Sequence, residues 1–239
     1  YCLQFKPNPI RYYPLLDVNT AKSKQSNVTI TSETLNHKHQ IFINHSGIFN
    51  LDLVTGKSVP AFRNPAENPK NVFNILNPNG TNETWVTCEG ENFIRVYRSD
   101  SDGYLSFIRK ISLVGISKTE ENTIIKLFQD SYSNVWIGTY EGLFVYNRNG
   151  SITKVARNLK SVNSFAEDKH HNIWIGTDND GLYRLTVAGK STQGAFKYVK
   201  VPLVVNGFES ANVRNVFCSR DGKIYAGTKE GCIFVVGDQ

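Results

Sequence analysis

A repeated segment of about 46 residues is the feature that most constrains how this chain folds. Three segments align with one another, and two segments upstream align with them less closely. The five copies are Ile124–Tyr146, Val162–Leu185, Val213–Val236, Phe73–Tyr97 and Ile30–Leu53. Such a period is typical of repeat architectures, in which each unit buries its apolar faces only against its neighbours.

Each copy has the pattern of short strands arranged around one aromatic residue. The aromatic positions are Phe42, Trp85, Trp136, Trp174 and Tyr225. They stand in β-branched and aromatic runs, which strands prefer, and in most copies a Thr-x-x-Gly sequence that suits a tight hairpin follows. With two further strands per copy, the sequence predicts an all-β fold, a β-propeller of four-stranded antiparallel blades. The aromatic residues are predicted to pack between blades, where a glycine two residues later leaves room.

We predict a single propeller domain or propeller fragment over residues 1–239. Its repeat units are approximately residues 25–69, 70–115, 120–157, 158–205 and 208–239, and the last unit is one strand short. Residues 1–5 are predicted either to supply this strand and close a five-bladed ring, or to be the tail of an earlier blade. The chain begins at Tyr1 and contains no Met, which indicates a processed chain or a fragment.

Composition excludes several classes of protein. The chain has 25 Asn and only 9 Ala, a balance that favours turns over helices. No run approaches the roughly 18 apolar residues that a membrane-spanning helix requires. The net charge of +6 is mild and the basic residues are scattered, so we expect no nucleic-acid binding.

The pattern DxxxNxWIGTxxGLxxY in Asp130–Tyr146 and Asp168–Leu185 resembles the two-component regulator propeller repeat. The match is weaker in Asp221–Val236 and Asn79–Tyr97, where the Trp or the Gly-Thr is replaced. The resemblance implies a periplasmic sensor region of a hybrid two-component sensor histidine kinase of the kind found in Bacteroides-like bacteria. That region detects glycan fragments and commonly has seven blades, so the five repeats are expected to belong to a ring of five or more blades.

The candidate ligand-binding residues lie in the turns between second and third strands and in the segments that enter each blade. The principal candidates are Tyr140, Asp178 and Arg214, with Asp180, Glu141 and Lys229 beside them. Further candidates in the same turns and segments are Glu89, Glu91, Glu230, Lys118, Glu120, Lys160, Glu209 and Asn212. Polar groups together with aromatic rings suit a carbohydrate, because rings stack on sugar faces and carboxylates or amides bind hydroxyls.

Other reactive residues are interpreted as structural. Asp130 and Asp168 recur at one place in the repeat, which is typical of residues that bond a turn backbone rather than of catalytic acids. His170 and His171 lack the converging ligands that a metal site requires, so we predict no metal and no cofactor. Cys2 and Cys232 are predicted either to form a disulfide or to remain two unpaired cysteines.

The sequence therefore favours a non-catalytic sensory domain that binds an oligosaccharide or another small ligand. Its expected partners are the rest of the sensor kinase and a second protomer, and contact with a membrane occurs only through the parent protein. The alternatives are a propeller enzyme that acts on glycans, as a lyase or a sialidase-like hydrolase, and a propeller that docks another protein. An enzyme would need a converging set of unique acids, and the sequence offers none.

Overall fold

The strands of this protein follow the repeat closely. The computed structural model describes residues 29–35, 39–44, 47–117, 122–156, 159–186, 197–201, 203–205, 208–209 and 212–236. In these ranges the regular structure is β-strand, apart from one short 3-10 turn at Pro65–Glu67. The predicted all-β class is confirmed.

Strands that are consecutive in sequence form four four-stranded antiparallel sheets and one three-stranded sheet, here called blades 1 to 5 in chain order. Blade 1 contains β1 (Thr29–Leu35), β2 (His39–Asn44), β3 (Gly47–Asp52) and β4 (Ser58–Pro60). Blade 2 contains β5 (Val72–Leu76), β6 (Glu83–Cys88), β7 (Phe93–Ser99) and β8 (Leu105–Ser112). The predicted four-stranded antiparallel blades are confirmed.

The second half of the chain continues the pattern. Blade 3 contains β9 (Ile124–Gln129), β10 (Val135–Thr139), β11 (Gly142–Tyr146) and β12 (Ile152–Ala156). Blade 4 contains β13 (Val162–Glu167), β14 (Ile173–Thr177), β15 (Gly181–Thr186) and β16 (Lys197–Val201). A short hairpin, which the sequence did not predict, follows; its strands, β17 (Val204–Val205) and β18 (Phe208–Glu209), have two residues each. Blade 5 contains β19 (Val213–Cys218), β20 (Ile224–Thr228) and β21 (Ile233–Val236).

Blade 5 has three strands within the described residues. The segment predicted to complete it, residues 1–5, lies outside them, as does Cys2. The closure of the ring, the number of blades and the treatment of the chain as one domain therefore stay predictions. The proposed Cys2–Cys232 disulfide also stays a prediction.

The first strands of blades 2 to 5 are the ones that bring consecutive sheets together. β5 packs against β9, β9 against β13, and β13 against β19. Each of these strands has a shift in register that leaves its second residue bulged: in β9, Ile124 pairs with Thr139 but Lys126 pairs with Gly138. The bulged residues are Phe73, Ile125, Asn163 and Arg214. A bulge re-aims the side chains around it, so the same displacement recurs where each blade meets its neighbours.

Glycines allow the neighbouring sheets to touch. A Cβ atom on Gly138 would overlap the carbonyl oxygen of Val162, the first residue of the next blade. A Cβ atom on Gly176 would overlap the Ser164 hydroxyl and lie 3.0 Å from the Val213 carbonyl oxygen in blade 5. Any larger residue would force the blades apart, which explains the glycine two positions after the aromatic residue.

Three of the five aromatic residues, Trp85, Trp136 and Trp174, pack between blades, as predicted. Trp136 of blade 3 is fully buried and shares a core cluster with Val162 and Phe165 of blade 4. Trp174 of blade 4 lies in a cluster with Val213 of blade 5. Each seam between blades therefore has its own apolar core.

The repeated Asp holds the Trp in place. Asp130 Oδ1 accepts hydrogen bonds from the backbone N–H groups of Tyr132 and Asn134, and its Oδ2 accepts one from Trp136 Nε1 at 2.9 Å. Asp168 binds Trp174 Nε1 in the same way, at 2.8 Å. One carboxylate thus closes the turn and satisfies the buried indole N–H, which confirms the structural interpretation of both aspartates.

Blade 5 replaces the Asp and the Trp together. At the place of Asp168 stands Ser219, whose hydroxyl accepts the Lys223 backbone N–H at 3.1 Å. The aromatic residue there is Tyr225, which has no indole N–H to satisfy. A hydroxyl is sufficient to close the turn, so a carboxylate is not required at this position.

We predict that Asp168→Ala lowers the free energy of unfolding by roughly 2–4 kcal/mol, because the Trp174 N–H and the turn lose a charged acceptor. Burial raises the pKa of Asp168, but hydrogen bonds from Trp174, Asn172 and the turn backbone outweigh it, so the pKa lies below its usual 3.8. This stabilisation is present above the unfolded-state pKa and is lost as pH falls through the folded-state pKa. Urea denaturation at pH 7 and at pH 3 measures both effects. The exposed turn residue Asp221 is the control, and an equal loss in Asp221→Ala would contradict the prediction.

Candidate functional site

One end of blades 2 to 5 carries the turns that join second to third strands, together with the segments that enter each blade. In every one of these blades the turn donates a backbone hydrogen bond to the entering segment. The bonds are Glu89 N to Asn71 O (2.9 Å), Tyr140 N to Thr123 O (3.2 Å), Asp178 N to Ser161 O (3.1 Å) and Lys229 N to Asn212 O (3.0 Å). We call this end the turn face.

Hydrogen bonds between blades make the turn face continuous. Ile124 N of blade 3 donates to Glu91 O of blade 2 at 3.0 Å, and Ser161 N of blade 4 donates to Tyr140 O of blade 3 at 3.0 Å. Asn179 N of blade 4 donates to the Asn212 side chain of blade 5 at 3.2 Å. Side chains on this face are therefore held by a connected backbone rather than by free loops.

The structure brings two of the principal candidates together. Arg214 Nη1 in the bulge of β19 lies 3.1 Å from Asp178 Oδ2 in the turn of blade 4. The side chains are 45% and 22% exposed, so the ion pair spans the seam at the surface of the turn face. The other carboxylate oxygen, Asp178 Oδ1, is buried without a hydrogen-bond partner.

Asp180 is directed elsewhere. Its carboxylate accepts a hydrogen bond from Tyr183 OH at 2.8 Å and lies 3.3 Å from Lys200 Nζ. These residues stand on the third and fourth strands of blade 4, on the outer side of the sheet. Asp180 is therefore not part of the Asp178–Arg214 group.

The remaining candidates occupy the neighbouring turns. Tyr140 is 48% exposed on the turn of blade 3, and the next residue, Glu141, donates its backbone N–H to the Asn122 side chain at 3.0 Å. Lys229 is exposed in blade 5. Glu230 accepts a hydrogen bond from Asn212 Nδ2 at 2.8 Å. Lys118 and Glu120 lie outside the described residues, and so does the side chain of Glu209.

Three polar residues on the first strands were not among the predicted site residues. Lys126 is partly buried on β9, and desolvation lowers the pKa of its ammonium group below the ordinary 10.5. Both polar atoms of the Asn163 side chain are buried without a hydrogen-bond partner, as is the Ser164 hydroxyl. Buried polar groups are usually satisfied, so unsatisfied ones next to a surface are candidates for bonding to water or to a ligand.

A signal for these residues exists in the sequence. The first strands of blades 2 to 5 have apolar residues at their first and fourth positions, such as Ile124 and Leu127, and at least one polar residue stands between them. From the alternation of a strand alone, the polar residue could be assigned to either face of the sheet. The bulge, which is visible only in the structure, shows that this residue lies at the seam.

The described residues contain no group of three or more His, Cys, Asp or Glu side chains that could hold a metal ion. His170 is exposed in its turn, and His171 Nδ1 lies 2.9 Å from Glu167 Oε1. None of the helical segments in the described part is long and apolar enough to cross a membrane.

The described cysteines carry no sign of a reactive site. Burial raises the pKa of Cys88 to about 12, so this thiol is protonated at neutral pH and is a poor nucleophile. Cys232 is exposed, next to β21. The Cys88 side chain packs in the core cluster of blades 1 and 2, as expected for a small apolar residue.

Comparison with known families agrees with the resemblance seen in the sequence. Residues 120–141 and 157–179 match the family described as two component regulator propeller. These two segments cover the first two strands of blades 3 and 4, where the sequence pattern is most complete. The prediction of two-component regulator propeller repeats is confirmed. None of the curated proteins compared with this chain matches it.

Solved structures of similar fold include two extracellular domains from B. thetaiotaomicron, each from a provisionally assigned hybrid two component system. The BT4673 domain is 20% identical with a TM-score of 0.63, and the match covers 86% of this chain and 27% of that one. The BT3049 domain is 18% identical with a TM-score of 0.63, covering 89% and 26%. The chain thus spans about a quarter of the length of these domains, and at this identity the likeness shows the fold.

Enzymes share the fold as well. A provisionally assigned 6-phosphogluconolactonase from Bacteroides uniformis is 11% identical with a TM-score of 0.62, and the match covers 88% of this chain and 66% of that one. The fold alone therefore does not separate a sensor from an enzyme.

We predict that Lys126→Met stabilises the free protein at pH 7, because the methionine fills a similar volume without a desolvated charge. The unfolded chain binds a proton on Lys126 more readily than the folded one, so wild-type stability rises as pH approaches 10.5. The advantage of the variant should therefore shrink between pH 7 and pH 10, as measured by urea denaturation. Lys57→Met, at an exposed turn of blade 1, is the control and should show no such convergence. A Met variant that is less stable than wild type at pH 7 would contradict the prediction.

Proposed function

We propose that this chain, which contains two-component regulator propeller repeats, is a periplasmic sensory region of a hybrid two-component sensor histidine kinase. Its ligand is a glycan fragment bound at the turn face. The observation that carries the proposal is the match of blades 3 and 4 to that repeat family. The extracellular domains of BT4673 and BT3049, which share the fold, support the assignment to a receptor outside the cytoplasm.

The turn face has the chemistry that a sugar requires. The exposed ring of Tyr140 offers a flat apolar surface, and the seam beside it exposes the Asp178–Arg214 pair. Aromatic rings stack on the apolar faces of sugars, and charged or amide groups bind the hydroxyls. These groups are held on a connected backbone, which reduces the entropy lost on binding.

The contacts of Asp178 and Asp180 favour a site that binds a glycan over one that hydrolyses it. Glycoside hydrolysis in most families needs two carboxyl groups that flank the scissile bond, with one of them protonated. Asp178 is paired with Arg214, and Asp180 is engaged by Tyr183 and Lys200, so both carboxylates are already bound to partners within the protein and do not form such a pair. The chain is therefore proposed to be non-enzymatic, with catalysis left to the kinase of the parent protein.

Signalling would pass through the rest of the sensor kinase and a second protomer. A ligand shifts a conformational equilibrium only by its difference in affinity between the two states. A ligand that bridges two blades at a seam binds best at one spacing of those blades, so it would favour one arrangement of the ring. Ligand binding at the proposed site could in this way change the arrangement of the ring that the partner protomer contacts.

We expect an oligosaccharide that is present at a concentration of about one hundred times its Kd to raise the free energy of unfolding by about 2.7 kcal/mol. For a domain of this size the increase corresponds to about 5–10 °C in melting temperature. A thermal-shift screen of the protein against neutral and acidic oligosaccharides measures it. Tyr140→Ala should abolish the shift, because it removes the stacking surface.

The matched control is Tyr132→Ala, since Tyr132 lies in the turn between the first and second strands at the opposite end of blade 3. This variant should keep the full shift. No shift with any oligosaccharide, together with turnover of a chromogenic glycoside, would reject the sensory proposal and support an enzyme.

A further inference from the structure

Three positions of the repeat meet at every seam between blades. The first is the residue after the bulge in one blade, the second is the first residue of that blade's turn, and the third is the bulged residue of the next blade. At the seam of blades 2 and 3 they are Asn74, Glu89 and Ile125. At the seam of blades 3 and 4 they are Lys126, Tyr140 and Asn163, and at the seam of blades 4 and 5 they are Ser164, Asp178 and Arg214.

Contacts at two seams show that these positions face one another. Asn74 Oδ1 accepts a hydrogen bond from the backbone N–H of Leu127 in the next blade, at 3.0 Å. The residue after the bulge therefore reaches the following blade. At another seam the turn residue Asp178 pairs with the bulged residue Arg214 of the following blade. The same geometry places Lys126, Tyr140 and Asn163 around the seam of blades 3 and 4.

The backbone contact at that seam supports this placement. Gly138 is the strand partner of Lys126, and a Cβ atom on it would overlap the Val162 carbonyl oxygen. Val162 directly precedes Asn163. Lys126 and Asn163 therefore stand on two strands, β9 and β13, that pack against each other next to this close approach.

The charges at the two seams differ. The seam of blades 4 and 5 contains both a cation and an anion, so its charges are matched within the protein. Of the three positions at the seam of blades 3 and 4, only Lys126 carries a charge. Among the described residues Lys126 has neither a hydrogen-bond nor an ion-pair partner, and desolvation alone accounts for its lowered pKa. The Asn163 amide, at the third position of this seam, has a buried donor and a buried acceptor, both without partners.

We propose that the seam of blades 3 and 4 binds the oxyanion of an acidic sugar, a uronic acid carboxylate or a sulfate ester. Lys126 pairs with the oxyanion, the Asn163 amide donates a hydrogen bond to it, and the Tyr140 ring stacks on the sugar. The inference rests on the proposed function, since it specifies the class of glycan detected. An oxyanion supplies what the seam lacks, because a buried cation is stabilised by a paired and hydrogen-bonded anion.

Isothermal titration calorimetry with D-glucuronate, D-glucose 6-sulfate and D-glucose tests the proposal on the whole protein. We expect at least one acidic sugar to bind about tenfold or more tightly than glucose, because a charge-assisted bond adds to the stacking. Carboxylate and sulfate are distinguished by which of the two acids binds more tightly. Lys126→Met should remove this advantage, whereas Lys126→Arg should retain most of it.

A second variant tests the charge argument directly. Asn163→Asp places a carboxylate beside Lys126 and reproduces the matched charges of the seam of blades 4 and 5. This substitution should raise the melting temperature of the free protein. It should also weaken the binding of the acidic sugar by about tenfold or more, because the new carboxylate repels the oxyanion and pairs with the Lys126 ammonium group. The control is Asn215→Asp, an exposed position after the bulge in blade 5, which should change neither property.

Two outcomes would overturn the inference. If glucose binds as tightly as both acids, or if Lys126→Met keeps the preference for the acid, the seam does not recognise an oxyanion. In either case binding of neutral oligosaccharides would leave the proposed sensory function standing. If neither acidic nor neutral saccharides bind, the inference and the proposed function fail together.

Discussion

The structure depends on the close contact of one sheet with the next. A four-stranded sheet has two faces, and neither can be buried within the blade itself. Gly138 and Gly176 bring consecutive sheets within van der Waals contact, and the Trp residues fill the space that remains between them. The Asp–Trp hydrogen bond then allows a large ring with a polar N–H to be buried in that space without an unsatisfied donor.

The same contact creates the candidate site. The bulges lie on the first strands, which pack against one another from blade to blade, so the residues around each bulge lie at the seams. At these positions the repeat can carry any side chain, because they are not needed for the apolar core. At the seam of blades 4 and 5 they hold the Asp178–Arg214 ion pair, whereas at the seam of blades 3 and 4 they hold Lys126 and the unsatisfied amide of Asn163. Variation at fixed positions is how a repeat scaffold acquires a specific site.

Much of the fold could be predicted because its signals are local. The aromatic residue, the Gly two positions later and the turn Asp form a pattern that is visible within about ten residues of sequence, and the structure shows all three in the predicted roles in blades 3 and 4. The site was less predictable. Asp178 and Arg214 were predicted as candidates and meet at 3.1 Å, but Asp180 was grouped with them and bonds to the outer strands instead. Lys126 and Asn163 were missed because their importance depends on a one-residue register shift.

The sequence by itself determined the class of fold, the repeated blade and the turn chemistry, since these follow from strand propensity, hairpin geometry and hydrogen bonding within about fifteen residues. Only the tertiary structure decided which polar residues share a seam, and which charges are matched there. The physical reason is that those contacts join residues in successive blades, such as Asp178 and Arg214, and strand pairing with its bulges sets their alignment. Hydrophobic periodicity does not record that alignment.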